Sequence, residues 1–145
     1  MNYRYKDDYN PPAPVLRITI RNLYDSTRQV TGDALIDTGA DITCLPRAIV
    51  RTVGGEPIST YSVIGIDETN IGPANSYLLE FEIASIKKPA EAIAIGDELI
   101  LGRNLINEFI LICHLGKIFS VNNLQLKCFS EKNKYCKKRK KEKNS

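Results

Sequence analysis

Residues 15–21 alternate: Leu16, Ile18 and Ile20 interleave with Arg17, Thr19 and Arg21, the period-two pattern of a strand with one wetted face. A polar turn at Asp25-Ser26-Thr27 follows, and residues 30–36 resume the extended pattern. Residues 46–50 predict a short helical turn, broken by Gly54-Gly55. Residues 60–66 are rich in β-branched side chains. Further on, Tyr77, Leu79, Phe81 and Ile83 share one face against Leu78, Glu80 and Glu82. Between these two strands the turn-rich stretch Asp67-Glu68-Thr69-Asn70-Ile71-Gly72-Pro73 predicts the tip of a long hairpin. Residues 90–95 and 110–115 predict short apolar strands, and 117–121 is placed to pair with the latter through Gly116. Only residues 103–109 predict a helix, with Leu105 and Phe109 four apart on one side. Short strands with frequent turn signals make residues 15–122 an all-β domain. Residues 1–14, with Pro11, Pro12 and Pro14, read as a flexible polar leader.

Composition narrows the class without changing the fold. A chain of 145 residues, 43% hydrophobic and 26% charged, can bury one core without disulfides or metal, and is neither wholly disordered nor collagen-like. The longest apolar run, residues 109–113, is too short to cross a bilayer. Residues 1–14 hold four charges and three prolines where a signal peptide needs an apolar stretch. The expectation is a soluble cytoplasmic protein with no membrane insertion.

Charge divides the chain. Residues 127–145 hold nine Lys or Arg and two Glu, a net +7, while the remainder holds eleven basic and fifteen acidic residues, a net −4. The expectation for 123–145 is a disordered basic tail that serves solubility. Its functional alternative is a phosphate-seeking arm for nucleic acid, on whose bases Phe129 and Tyr135 would stack. The four cysteines, Cys44, Cys113, Cys128 and Cys136, show no Cys-x-x-Cys spacing, and His114 is the single histidine. That pattern points to no metal site and no cofactor, and leaves little for triad chemistry to work with. Cys44 and Cys113 sit in apolar contexts and read as small hydrophobes.

The chemistry-bearing segment is Ala34-Leu35-Ile36-Asp37-Thr38-Gly39-Ala40-Asp41, where a carboxylate follows directly on an apolar strand end. Alone, Asp-x-Gly reads as a turn in which Asp bonds its own backbone. Further along, Leu99-Ile100-Leu101-Gly102-Arg103-Asn104 again runs an apolar strand into a glycine, 63 positions after Gly39. With a hairpin between them, these two motifs in this order resemble the retropepsin-like aspartic proteases, over about residues 15–121.

The resemblance implies a closed β-barrel or sandwich with a flap hairpin and one short C-terminal helix. It also implies an aspartic endopeptidase that acts as a homodimer on peptide or protein substrates, because this chain has a single Asp-Thr-Gly. Asp37 from each subunit would be catalytic: two carboxylates near contact share one proton, the ionised one activating water and the protonated one polarising the substrate carbonyl. By the same resemblance Thr38 would bond across the dimer axis and Gly39 would let the loop approach substrate. Ala40 and Asp41 would line the cleft, and Asp41 would form a buried pair with Arg103. Ile64, Gly65 and Ile66 would contact substrate from the flap, and Leu101-Gly102 would pack behind the catalytic loop. Retroviral dimers interleave short apolar terminal strands, whereas this chain has a polar, proline-rich start and a basic end. Two alternatives follow: a catalytically silent dimeric peptide-binding module, and a nucleic-acid-associated factor acting through residues 127–145.

Overall fold

The protein is described from a computed structural model covering residues 1–65 and 67–123. Ile66 and residues 124–145 lie outside the described residues, so the substrate contact expected of Ile66 and both readings of the tail are not addressed by the structure. Along the chain run β1 (Asn2–Arg4), β2 (Val15–Asn22), β3 (Gln29–Ile36), β4 (Thr43–Leu45), α1 (Arg47–Val53), β5 (Pro57–Ile64) and β6 (Asn70–Ile83). They are followed by β7 (Ile86–Ala94), β8 (Ile100–Leu101), α2 (Arg103–Ile106), β9 (Phe109–His114) and β10 (Ile118–Asn123).

The large sheet closes on itself, the barrel form of the barrel or sandwich that the resemblance implies. β2 lies antiparallel to β3, with Leu16 opposite Ala34, and β3 runs parallel to β8, with Ile36 opposite Leu101. β8 meets β4 at Cys44, β4 runs parallel to β7, and β7 lies antiparallel to β6. The far half of β6 returns to β2, setting Phe81 opposite Ile20, while its near half pairs with β5 to form a projecting hairpin. Closure removes the sheet edges that an open arrangement would expose. A second, three-stranded sheet has the order β1-β10-β9.

The alternation read from β2 is the alternation observed: Leu16, Ile18 and Ile20 are buried, with Arg17 and Thr19 on the other face. They meet Leu79, Phe81 and Ile83 of β6, Leu101 of β8 and Leu105 of α2 in one core. Each large apolar side chain fully withdrawn from water contributes roughly 1.5–3 kcal/mol. α1 buries Val50 and Val53 against that core and ends at Gly54, whose φ of 66° and N–H bond to Val50 O (2.8 Å) make a left-handed stop.

Four expectations need correction. The leader is not wholly irregular: β1 pairs with β10, and Tyr3 and Tyr5 pack on Phe119 with ring centroids 5.2 and 5.8 Å away. Aromatic packing and ladder bonds with the far end of the chain order a polar segment that shows no local apolar pattern. The helix at 103–109 is shorter than expected, because after Ile106 the chain turns and Phe109 opens β9. The hairpin tip is also shorter, since Asn70, Gly72 and Pro73 already pair with β5, with Ile71 bulged between them. Cys113 is exposed on β9, whereas Cys44 is half-buried.

Candidate active site

Asp37 sits where β3 leaves the sheet. Its N–H donates to Leu101 O of β8 (3.1 Å), extending the parallel β3–β8 ladder by one residue and fixing where the loop begins. Its carboxylate Oδ1 accepts the Gly39 N–H (2.8 Å), and its carbonyl accepts the Ala40 N–H (3.3 Å). The triplet is therefore an Asx-type turn, as the isolated motif predicts, built at the end of a half-buried ladder. A Cβ on Gly39 would stand 3.1 Å from Asp37 Oδ1, so a side chain there presses on the carboxylate itself. Asp37 is half-buried, while Thr38 and Gly39 are exposed. The Cys44 thiol titrates above its ordinary range, chiefly through burial and then through the charge of nearby Asp37.

The second motif braces the first from behind. Gly102 leaves no room for a side chain: a Cβ would lie 2.4 Å from the Ile42 carbonyl carbon and 2.8 Å from Thr43 N. Past it, Arg103 N–H donates to Ala40 O (2.8 Å) and Asn104 N–H to Asp41 O (3.2 Å), so the start of α2 caps the loop's carbonyls. The Asn104 side chain does more. Its Oδ1 accepts both the Thr43 N–H and the Thr43 hydroxyl (2.9 Å each), and its Nδ2 donates to Glu91 O on β7 (2.7 Å). Thr43 is fully buried, and its hydroxyl oxygen also accepts the Gly102 N–H (3.1 Å). Sequence reading singled out neither Thr43 nor the Asn104 side chain. The one available signal was a hydroxyl residue inside the apolar stretch Ile42-Thr43-Cys44-Leu45.

Asp41 and Arg103 are brought together, their side chains forming an ion pair. The pair is exposed, however, with side-chain exposures of 82% and 51%, not buried as the resemblance implies. Within one chain both groups stand at the open rim of the loop and solvent screens them. Ile64 and Gly65 lie at the end of the β5–β6 hairpin. Ile64 is 67% exposed and Ile71 across the tip is 60% exposed, so the tip presents apolar side chains without cover. Gly65 donates to Thr69 O (2.9 Å) and accepts from Glu68 N–H (3.0 Å). The Asp67 carboxylate accepts the Thr69 hydroxyl and N–H, bonds that hold its titration below the usual 3.8. Among the described residues no hydrogen bond or ion pair joins this tip to the Asp37 loop.

No group of three or more metal-ligating side chains occurs among the described residues. The arrangement supplies a carboxylate in a braced, glycine-lined loop and an apolar hairpin. Its Asp37 carboxylate has the chemical capacity for general acid–base work.

Comparison with solved structures shows the fold. A foamy viral protease–reverse transcriptase bound to double-stranded DNA matches with a TM-score of 0.50 and 22% identity, over 70% of this chain and 16% of that one. Simian foamy virus (mac) protease matches with a TM-score of 0.48 and 26% identity, over 65% and 92% of the two chains. The protease of EIAV, solved with the inhibitor HBY-793, gives 0.47 and 22%, over 66% and 86%. The first of these matches carries the assignment: this chain has the retropepsin-like aspartic protease fold. No protein-family model matches the chain, and no curated protein matches it by sequence.

Proposed function

We propose that the protein is an aspartic endopeptidase that works as a homodimer, hydrolysing peptide bonds with a water activated between Asp37 of each subunit. The observation that carries this reading is the Asp37 loop itself: a carboxylate at the end of a half-buried ladder, in a retropepsin-like fold, backed by a glycine that admits no side chain. One chain brings one such carboxylate, and general acid–base hydrolysis of an amide needs two roles filled together.

In the dimer the two Asp37 side chains meet at the axis. Like charges at contact distance do not both ionise, so the pair carries one proton. The ionised carboxylate takes a proton from water as that water attacks the peptide carbonyl, and the protonated one donates to the carbonyl oxygen. The tetrahedral intermediate collapses as the nitrogen of the leaving amine is protonated. Gly39 leaves the backbone open to substrate, and the hairpin, with exposed Ile64 and Ile71, closes over the peptide and excludes water.

The test is cleavage of a peptide library by wild type and Asp37→Asn between pH 3 and 7 at high protein concentration, read by mass spectrometry. Sedimentation is run on the same samples. Cuts made by wild type and lost in the variant, rising steeply with concentration, are the expected result. A sedimenting dimer that makes no cuts refutes the enzyme and leaves a peptide-binding module.

A further inference from the structure

Between α1 and the β5–β6 hairpin lies an open groove of about 390 Å³ that the proposed reaction does not use. Arg47 and Arg51, one helical turn apart on α1, line one wall. Thr60 of β5 and Asn75 of β6 line the other, and Val50 and Ala94 give it an apolar floor. Among the described residues neither arginine has an ion-pair partner, and no carboxylate lines the groove.

The polar atoms on offer are mainly donors. The Thr60 hydroxyl donates to Asn75 Oδ1 (3.1 Å), which occupies the amide oxygen and leaves the amide N–H groups for a ligand. Two guanidinium groups and an amide nitrogen call for an acceptor-rich, negatively charged partner, and guanidinium planes match carboxylates two bonds at a time. This stands out against the rest of the body, since residues outside the basic tail carry a net −4. The volume and the apolar floor exceed what a small inorganic anion fills. They suit a carboxylate carried on a methylene stem.

We infer that this groove, where Arg47 and Arg51 of α1 face Thr60 and Asn75 of the hairpin, is an exosite for a glutamate-rich segment of a protein substrate. The inference names a substrate class and so rests on the protease reading. The site itself binds independently of cleavage. A segment seated there touches α1 and both hairpin strands at once, tying the base of the moving hairpin to the barrel. Acidic substrates are thereby held apart from the residues being cut.

The experiment uses the full-length Asp37→Asn chain, which binds without cutting, and a fluorescein-labelled decapeptide carrying four glutamates beside its glutamine counterpart. Anisotropy is expected to show the glutamate peptide binding about tenfold or more tightly than the glutamine one. Adding Arg47→Gln with Arg51→Gln is expected to abolish that preference. Lys87→Gln with Lys117→Gln, which removes the same charge elsewhere, is expected to keep it. Amide shifts on peptide addition should centre on Thr60 and Asn75. A preference that survives loss of both arginines overturns the proposal, because the basic tail then does the binding. Shifts at Thr60 and Asn75 produced by inorganic phosphate but not by the peptide overturn it too. Glutamate-peptide binding that needs both arginines, in a protein whose wild type cuts nothing, leaves the exosite and removes the protease. Cuts that depend on Asp37, with no peptide binding at the groove, do the reverse.

Discussion

The two parts of the candidate site are built in opposite ways. The Asp37 loop is braced by partners far along the chain: Leu101 O holds Asp37 N–H, Ala40 O takes Arg103 N–H, and Asn104 ties Thr43 to Glu91. The hairpin tip is braced by itself, through Gly65 with Thr69, Glu68 with Gly65, Thr69 with Asp67, and Gly72 with Asn70. Cross-bracing makes the loop part of the global fold, so damage there spreads to the whole domain. Self-bracing lets the tip open and close at little global expense. In the proposed enzyme the two would serve as a fixed acid and a movable cover.

That contrast breaks first at Gly102. In Gly102→Ala the new Cβ falls on the backbone of Ile42 and Thr43, which has no rotamer to escape into. The expected loss is about 3 kcal/mol, read by urea unfolding, with peptide cleavage falling further because the loop in front must shift. A loss below about 1 kcal/mol would mean the loop is not clamped from behind. Next is Asn104→Ala, which strips partners from the buried Thr43 N–H and from Glu91 O. About 2 kcal/mol is expected from unsatisfied buried groups. Thr43→Val in the same background should add a further loss of about 1 kcal/mol, because the Gly102 N–H then loses the hydroxyl oxygen it donates to, while the Thr43–Asn104 bonds are already gone.

How much of this was legible follows the same division. Asp37, Gly39, Gly102 and the alternation of Leu16, Ile18 and Ile20 were readable, because a strand's period and a motif's order survive in one dimension. Asn104 and Thr43 were not assigned roles: their work is to satisfy each other across 61 positions, and nothing local marks Thr43 as buried or Asn104 as its partner. β1 was missed for the same reason, since Asn2, Tyr3 and Arg4 are ordered only by β10 and Phe119. The ion pair of Asp41 with Arg103 was anticipated as contact but not as exposure, which depends on what covers the rim.

That exposure sharpens the comparison further. With side chains 82% and 51% open, the Asp41–Arg103 pair should contribute about 0–1 kcal/mol once solvent screening is counted, so Arg103→Gln is expected to shift the monomer's unfolding midpoint barely. In the proposed dimer a partner covers this rim, and burial makes a lost partner costly. The variant should therefore weaken dimerisation, read by sedimentation, far more than it weakens folding. Equal effects on both would show that the pair is not at the interface.

The smallest expected effect lies at the tip, and its sign is fixed by Asp67. Thr69 donates both its hydroxyl and its N–H to that carboxylate, lowering its titration below 3.8. A depressed folded value means the bonds stabilise the tip above the unfolded value and are lost as pH falls through the folded one. Asp67 is fully exposed, so the global unfolding midpoint should not register the change. The Thr69 amide should: its proton shift is expected to titrate with a midpoint under 3.8, and Thr69→Val should move the Asp67 midpoint back up. Because the tip is held only by itself, its opening on acidification should leave the amides of Asp37, Gly39 and Ala40 unmoved over the same range. If they titrate together with Thr69, the cover and the acid beneath it are coupled, and the division between the two parts fails.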